Sequence, residues 1–196
     1  MTYTNTSEEN IKNWLKKNLN EERFLHSVGT ANCAKELAQR YGLNTEKAYI
    51  AGLLHDAAKC LPVEQLIQMV KQIPYALGEE INNPKTLHAP ASAYVAENEF
   101  GVKDSEILSA IRWHTLGKTN MTPFEKIIFL ADKVEPNTRN KDYSEKLTKL
   151  LDEENGLDKA LLECYKITII SLVNRNLKIC TKTIDIYNDL QSKISS

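Results

Sequence analysis

The sequence lacks an apolar run long enough to cross a bilayer: its most apolar stretch, Ile167 to Val173, falls far short of the roughly 20 residues a spanning helix needs. Its amino terminus, Met1 to Asn10, is polar and has none of the apolar segment that a secretory signal requires. Both absences lead to the expectation of a cytoplasmic protein. Cysteine is scarce. Cys33, Cys60, Cys164 and Cys180 are widely separated and form no C-x-x-C pair, which removes thiolate metal sites and dithiol redox motifs and leaves four small buried side chains as the expectation. Neither sign of charge is in excess, with a net charge of -1 and scattered lysines and arginines, so no basic stripe argues for tracking a nucleic-acid backbone. Any phosphate must then be gripped locally. Internal repeats and low-complexity tracts are also missing, and the one acidic cluster, Asp152 to Glu154, reads as a solvated loop.

What remains is an ordinary globular composition, 42% apolar and 26% charged over 196 residues, enough for one sizeable core. Seven or eight segments show helical period and no segment alternates as a strand would, so the fold is expected to be all-α. Thr6 and Glu9 form an expected capping box before Ile11, Trp14, Leu15 and Leu19. Asn20 caps a helix through Leu25, Val28, Leu37 and Tyr41 that Gly42 ends, and Asn44 starts another reaching His55 and Asp56. Pro62 suits the first position of a short helix through Leu66, Met69 and Val70 that Pro74 ends, before a polar loop from Tyr75 to Thr86. Pro90 suits the first turn of a helix through Val95 closed by Gly101, which puts His88 just before it. Asp104 caps the next, with Ile107, Leu108 and Ile111 inward and His114 near its end before Gly117. Thr122-Pro123-Phe124-Glu125 is the clearest start signal, opening a helix that carries Asp132 and stops at Pro136. A helix through Leu147, Leu150 and Leu151 follows, then a long one from about Asp158 through Leu161, Ile169 and Val173, both mainly scaffold.

The four histidines, His26, His55, His88 and His114, each lie on or beside a different expected helix. Alone, each is more often a satisfied core or surface residue than a ligand. Together with the adjacent His55-Asp56 pair and with Asp132, they supply nitrogen and oxygen donors that Fe, Mn, Zn or Co accepts, with no sulfur. Small residues Gly29, Thr30 and Cys33 share the face of His26 and permit close approach of a neighbouring helix. Lys59, at i+4 from His55, can address the same cavity; its alternative reading is a solvated lysine at a helix end.

The order His26, His55-Asp56, Asp132 resembles the H…HD…D pattern of the HD-domain superfamily of metallophosphohydrolases. Within it the chain looks most like the YqeK-type symmetrical bis(5'-nucleosyl)-tetraphosphatases, through Arg23-Phe24-Leu25-His26-Ser27, Leu54-His55-Asp56-Ala57-Ala58-Lys59, His88-Ala89, Arg112-Trp113-His114-Thr115 and Asp132-Lys133-Val134-Glu135-Pro136-Asn137. The tail from Leu177 to Asn188 continues the likeness, with a departure at Lys178 to Thr183, where the family more often has a His-Pro pair.

The resemblance implies a single-domain HD-type helical bundle over residues 1–196, with a metal-binding core at about 20–140 and helices at about 141–196 completing the fold and the nucleotide site. It implies His26, His55, Asp56, His88, His114 and Asp132 as metal ligands, with Asp56 bridging two ions and, with Lys59, catalytic. Substrate binding falls to Arg23, His26, Lys59, His88, His114, Thr115, Arg139 and Arg175. The implied metal is iron, one or two ions, with Mn or another divalent transition metal as the alternative. The implied substrate is a small nucleotide, a dinucleoside tetraphosphate cut symmetrically to two nucleoside diphosphates, and the implied assembly a homodimer. Metal-assisted hydrolysis is the expected mechanism, with the pKa of bound water lowered towards about 7. Two rivals stand: another HD-type activity on a guanosine alarmone, a deoxynucleoside triphosphate or a cyclic nucleotide, and a non-catalytic nucleotide-binding module. No G-x-G-Y-P stretch supports a cyclic-dinucleotide phosphodiesterase, and substrate profiling separates the others.

Overall fold

The computed structural model describes residues 2–73 and 84–195. Among them lie ten α-helices and no strand: α1 (Glu8–Asn18), α2 (Glu21–Arg40), α3 (Thr45–Leu54), α4 (Val63–Lys71), α5 (Pro84–Asn98), α6 (Ser105–Trp113), α7 (Pro123–Val134), α8 (Lys141–Leu151), α9 (Gly156–Asn174) and α10 (Thr181–Ser195). The all-α expectation holds, with more helices than the sequence periodicity resolved. Pro74 as a helix stop and most of the loop that follows it lie outside the described residues.

α3 forms the centre because it has almost no polar face. Ala48, Ile50, Ala51, Leu53 and Leu54 are all fully buried, and a helix apolar all round must be enclosed by others. α2 packs along one side of it, α6 and α7 along others, and α7 is in turn covered by α8 and α9. Gly52 sets the closest approach: a Cβ there would lie 2.8 Å from Ala31 Cα and 2.9 Å from the Thr30 carbonyl oxygen, both backbone atoms of α2 that cannot swing aside. Gly52→Ala must therefore push α2 off α3. We expect a loss of about 1–3 kcal/mol, the usual range for overpacking, read as a lower denaturant midpoint at unchanged slope.

The caps follow the sequence closely. The side chains of Asn20, Asn44 and Asp104 accept from the backbone N–H groups of Arg23, Lys47 and Ile107, and the Thr122 capping box with Glu125 is complete. Gly42, Gly101 and Gly117 adopt φ near +67°, +65° and +70° at their helix ends.

Five expectations are corrected. α1 is capped by Ser7, which accepts from Asn10 N–H, while Thr6 Oγ1 takes the Asn10 side chain; this places Glu8 and Glu9 both in the first turn, where the helix dipole favours them. Pro62 is the residue before α4 and not its first. Pro90 lies inside α5, so His88 is helical: Pro84 takes the start of the helix, and burial of Leu87, Ala91, Val95 and Ala96 around Pro90 offsets the roughly 3 kcal/mol that an interior proline costs. α3 stops at Leu54, so Lys59 reaches the cavity from a turn and not from a helical i+4 position. Of the four cysteines only Cys164 is fully buried, and Cys60 is exposed. The acidic cluster from Asp152 to Glu154 is exposed as expected, and the long helix begins slightly early, at Gly156. No described helix is long and apolar enough to cross a membrane.

Candidate metal centre

Five helices deliver the expected ligands to one buried point. His26 projects from the first half of α2, His55 caps the carboxyl end of α3 with Asp56 in the turn beyond, His88 comes from α5, His114 caps α6, and Asp132 comes from the last turn of α7. All six are buried. His26 Nε2 lies 2.9 Å from Asp132 Oδ1 and 3.2 Å from His55 Nε2, and His55 Nε2 lies 3.7 Å from Asp132 Oδ1. His88 Nε2 and His114 Nε2 are 3.3 Å apart.

The Asp56 carboxylate stands between these groups. Its Oδ2 is 3.9 Å from His26 Nε2 and 3.7 Å from His55 Nε2, while its Oδ1 is 3.1 Å from His88 Nε2 and 3.4 Å from His114 Nε2. Burial alone would raise the Asp56 carboxyl pKa, but His55, His114 and His88 hold it well below the usual carboxylate range. Asp132 is likewise held down against burial by Lys133, His26 and His55. Burial pushes the His114 imidazole down to about 3 and lowers His88 too.

The outer nitrogens fix which lone pair that is. His55 Nδ1 and His114 Nδ1 each lie 2.7 Å from a backbone carbonyl, of Gly52 and Ile111, so a neutral ring donates there and turns its Nε2 lone pair inward. His26 Nδ1 instead faces Glu135 Oε1 at 3.0 Å. Glu135 is fully buried at the end of α7, where Asn137 N–H donates to it at 2.8 Å, Thr138 N–H at 2.9 Å and Thr138 Oγ1 at short range. Burial would raise its pKa, yet the hydrogen bonds from His26, Thr138 and Asn137 hold it at about 2. Gly29 leaves room for this carboxylate, since a Cβ there would lie 2.5 Å from Asn137 Nδ2 and collide with Glu135 itself. We expect Glu135→Gln to weaken metal affinity by about 10–100-fold, as removal of an outer partner typically does, measured by competition with a chelator.

The residues present fit a transition metal. Asp56 Oδ1 is buried without a hydrogen-bond partner, an expensive state for a carboxylate oxygen unless a cation meets it. The groups His26, His55, Asp132 and His55, Asp56, His114 each bring three ligand atoms within 4.8 Å of one another. Bonds of about 2.1 Å imply ligand-to-ligand edges of about 3.0–3.4 Å, which the measured spacings approach. Imidazole nitrogen with carboxylate oxygen suits Fe, Mn, Zn or Co.

Four positive side chains border the cluster. Arg23 Nη1 lies 3.4 Å from Asp56 Oδ2. Lys59 Nζ lies 3.6 Å from Asp56 Oδ1 and 2.9 Å from His88 Nε2, and burial lowers its pKa. Arg139 pairs with Asp132 and reaches 3.1 Å from His26 Nε2. Thr115 Oγ1 sits 3.1 Å from His88 Nε2 and 3.0 Å from His114 Nε2. Arg175, at the end of α9, is exposed and shares none of these contacts. The fourth cation, Lys133, pairs with Asp132 and was missed from the sequence, as were the roles of Glu135 and Thr138. Their signal was the run Asp132 to Asn137 itself, in which an acid and a lysine crowd the end of a helix otherwise apolar enough to be core.

A model of the HD domain matches residues 23–137, the span that contains all six of these candidate ligands. The chain belongs to the HD-domain family. The chain is 40% identical over 180 residues to the symmetrical bis(5'-nucleosyl)-tetraphosphatase of Bacillus subtilis (strain 168), covering 91% of this chain and 94% of that one. It is 36% identical over 182 residues to the enzyme of the same name from Staphylococcus aureus (strain NCTC 8325 / PS 47), covering 92% of each. A crystal structure of a predicted HD superfamily hydrolase involved in NAD metabolism from Clostridium acetobutylicum superposes with a TM-score of 0.89 at 40% identity, covering 96% of this chain and 98% of that one.

Proposed function

We propose that this HD domain hydrolyses dinucleoside tetraphosphates, diadenosine tetraphosphate foremost, symmetrically to two nucleoside diphosphates. The carrying observation is the Asp56 carboxylate, divided between two nitrogen-rich groups beneath a border of cations. It supports the reading together with 36–40% identity, over nine-tenths of the chain, to relatives bearing the symmetrical tetraphosphatase name.

In this reading His26, His55 and Asp132 would hold one ion and His88 and His114 a second, with Asp56 placed beside both. We take the metal to be iron, with manganese as a working substitute. When bound, such ions neutralise charge on the attacked phosphoryl group and lower the pKa of water towards about 7. Glu135, through Nδ1 of His26, keeps that imidazole oriented. Lys59 and Arg23 steady phosphate oxygens on the Asp56 side, Arg139 does so on the other, and the Thr115 hydroxyl orients substrate beside His88 and His114. Arg175 enters only as a contact to the distal part of the nucleotide. We read the partner as a free nucleotide rather than a nucleic acid, the setting as cytoplasmic, and the assembly as a homodimer of single-domain chains, with residues 141–196 completing the nucleotide site. Sedimentation of the purified protein tests the dimer.

The deciding experiment is chromatography of diadenosine tetraphosphate digests with reduced iron or manganese. ADP as the sole product supports the reading. AMP with ATP contradicts symmetrical cleavage, and turnover only of a guanosine alarmone or deoxynucleotide keeps the site but removes the substrate.

A further inference from the structure

The four cations at the centre share one placement. Side-chain exposures of 31% for Arg23, 28% for Lys59, 24% for Lys133 and 29% for Arg139 stand above carboxylates that are only 3% and 6% exposed. The acids are a buried floor and the cations a rim open to an incoming anion. They are also divided evenly: Arg23 and Lys59 lie at Asp56, and Lys133 and Arg139 at Asp132.

Lys133 is not the only partner of Asp132. Oδ1 of that residue already receives Arg139 and lies 2.9 Å from His26 Nε2, and Arg139 Nε donates to the Asp132 backbone carbonyl at 2.6 Å. Lys133 takes only Oδ2, and its ammonium lies 4.9 Å from the centre of the Phe129 ring, which steers the stem towards the rim. The rim cations exceed the two carboxylates they touch by two charges. That surplus favours an incoming polyphosphate anion even before any metal ion adds its own charge.

We propose that Lys133 is a substrate-binding residue, and that it completes a two-and-two set of cations holding two phosphates on either side of the bond that is cut. This deepens the tetraphosphate reading and rests on it. An ammonium suits the role because it offers three donors on a stem that can leave Asp132 for a phosphate oxygen without moving the helix. The set also predicts a preference for four phosphates, because a shorter bridge centred on the ligands leaves one cation of a pair without a partner.

The test compares wild type with Lys133→Met and Lys133→Arg. Three quantities are measured: manganese bound per chain, binding of inorganic tripolyphosphate to metal-free and manganese-loaded protein by calorimetry, and kcat and KM for diadenosine tri- and tetraphosphate. Loss of one charge-assisted phosphate contact should weaken tripolyphosphate binding by Lys133→Met about ten-fold in both forms, with manganese content unchanged. KM for the tetraphosphate should rise about ten-fold, kcat should fall less, and the preference for tetraphosphate over triphosphate should narrow. Lys133→Arg should recover most of the affinity. Unchanged tripolyphosphate binding, or weakening that follows loss of manganese, would mean that Lys133 only braces Asp132 and would overturn the proposal. A wild-type protein that leaves the tetraphosphate intact would overturn the substrate and the two-and-two arrangement, while the tripolyphosphate arm would still decide Lys133.

Discussion

Asp56→Ala is expected to lose most bound metal and to hydrolyse diadenosine tetraphosphate on the order of 10³-fold more slowly, a larger loss than the roughly 10–100-fold typical of an outer partner. The reason lies in the two ends of one carboxylate: Oδ2 faces His26 and His55, and Oδ1 faces His88 and His114. Alanine removes a donor from both groups at once. It also removes the carboxylate that Arg23 and Lys59 face, which further disfavours a cation beside them. Elemental analysis of the purified variant, set beside its turnover, checks the expectation. Full metal content with normal turnover would remove Asp56 from the centre, whereas full content with lost turnover would assign it to chemistry alone.

Lys59→Ala should separate the other way. Metal content stays at the wild-type level, because Lys59 holds no ion, while kcat/KM falls by about 10²–10³-fold, the usual cost of removing one group that stabilises developing charge. Burial lowers the Lys59 pKa, so its charged form is lost as pH rises through a value below the ordinary 10.5. The alkaline limb of the wild-type pH–rate profile should therefore come earlier than for an exposed lysine, and Lys59→Arg should extend the plateau. An unchanged rate in Lys59→Ala would return this side chain to a solvated position with no part in the reaction.

The contrast between these variants bears on how the centre is built. Three of its imidazoles have their outer nitrogen committed to a fixed acceptor, Gly52, Ile111 or Glu135, so they arrive with the inner lone pair already aimed. The carbonyl acceptors for His55 and His114 sit three residues back in the same chain segment, at the ends of α3 and α6. A helix end leaves carbonyls unpaired, and placing a histidine there meets two needs with one contact.

The sequence by itself determined the helices and the ligand types. Capping residues such as Asn20, Asn44, Asp104 and Thr122 act within a turn of chain, and the apolar spacing of α3 and α7 reflects a local period, so both are written in neighbouring residues. The order His26, His55-Asp56, Asp132 marked the site for the same reason: residue chemistry survives in one dimension. Two local signals pointed to the wrong residue: the expected cap at Thr6 falls at Ser7, and the helix expected to begin at Pro90 begins at Pro84.

Tertiary structure alone decided what lies between the ligands. That Asp56 turns one oxygen to each histidine group depends on α5 and α6 meeting the end of α3, contacts spanning dozens of residues. That Glu135 holds His26 across 109 positions requires α7 to end against α2, with a glycine at position 29 to admit the carboxylate. Lys133 belongs to the rim because α7 directs it past Phe129 onto Asp132. Local rules fix each helix and what it carries, but a charge acquires its role from the charges folded against it, and these come from distant parts of the chain.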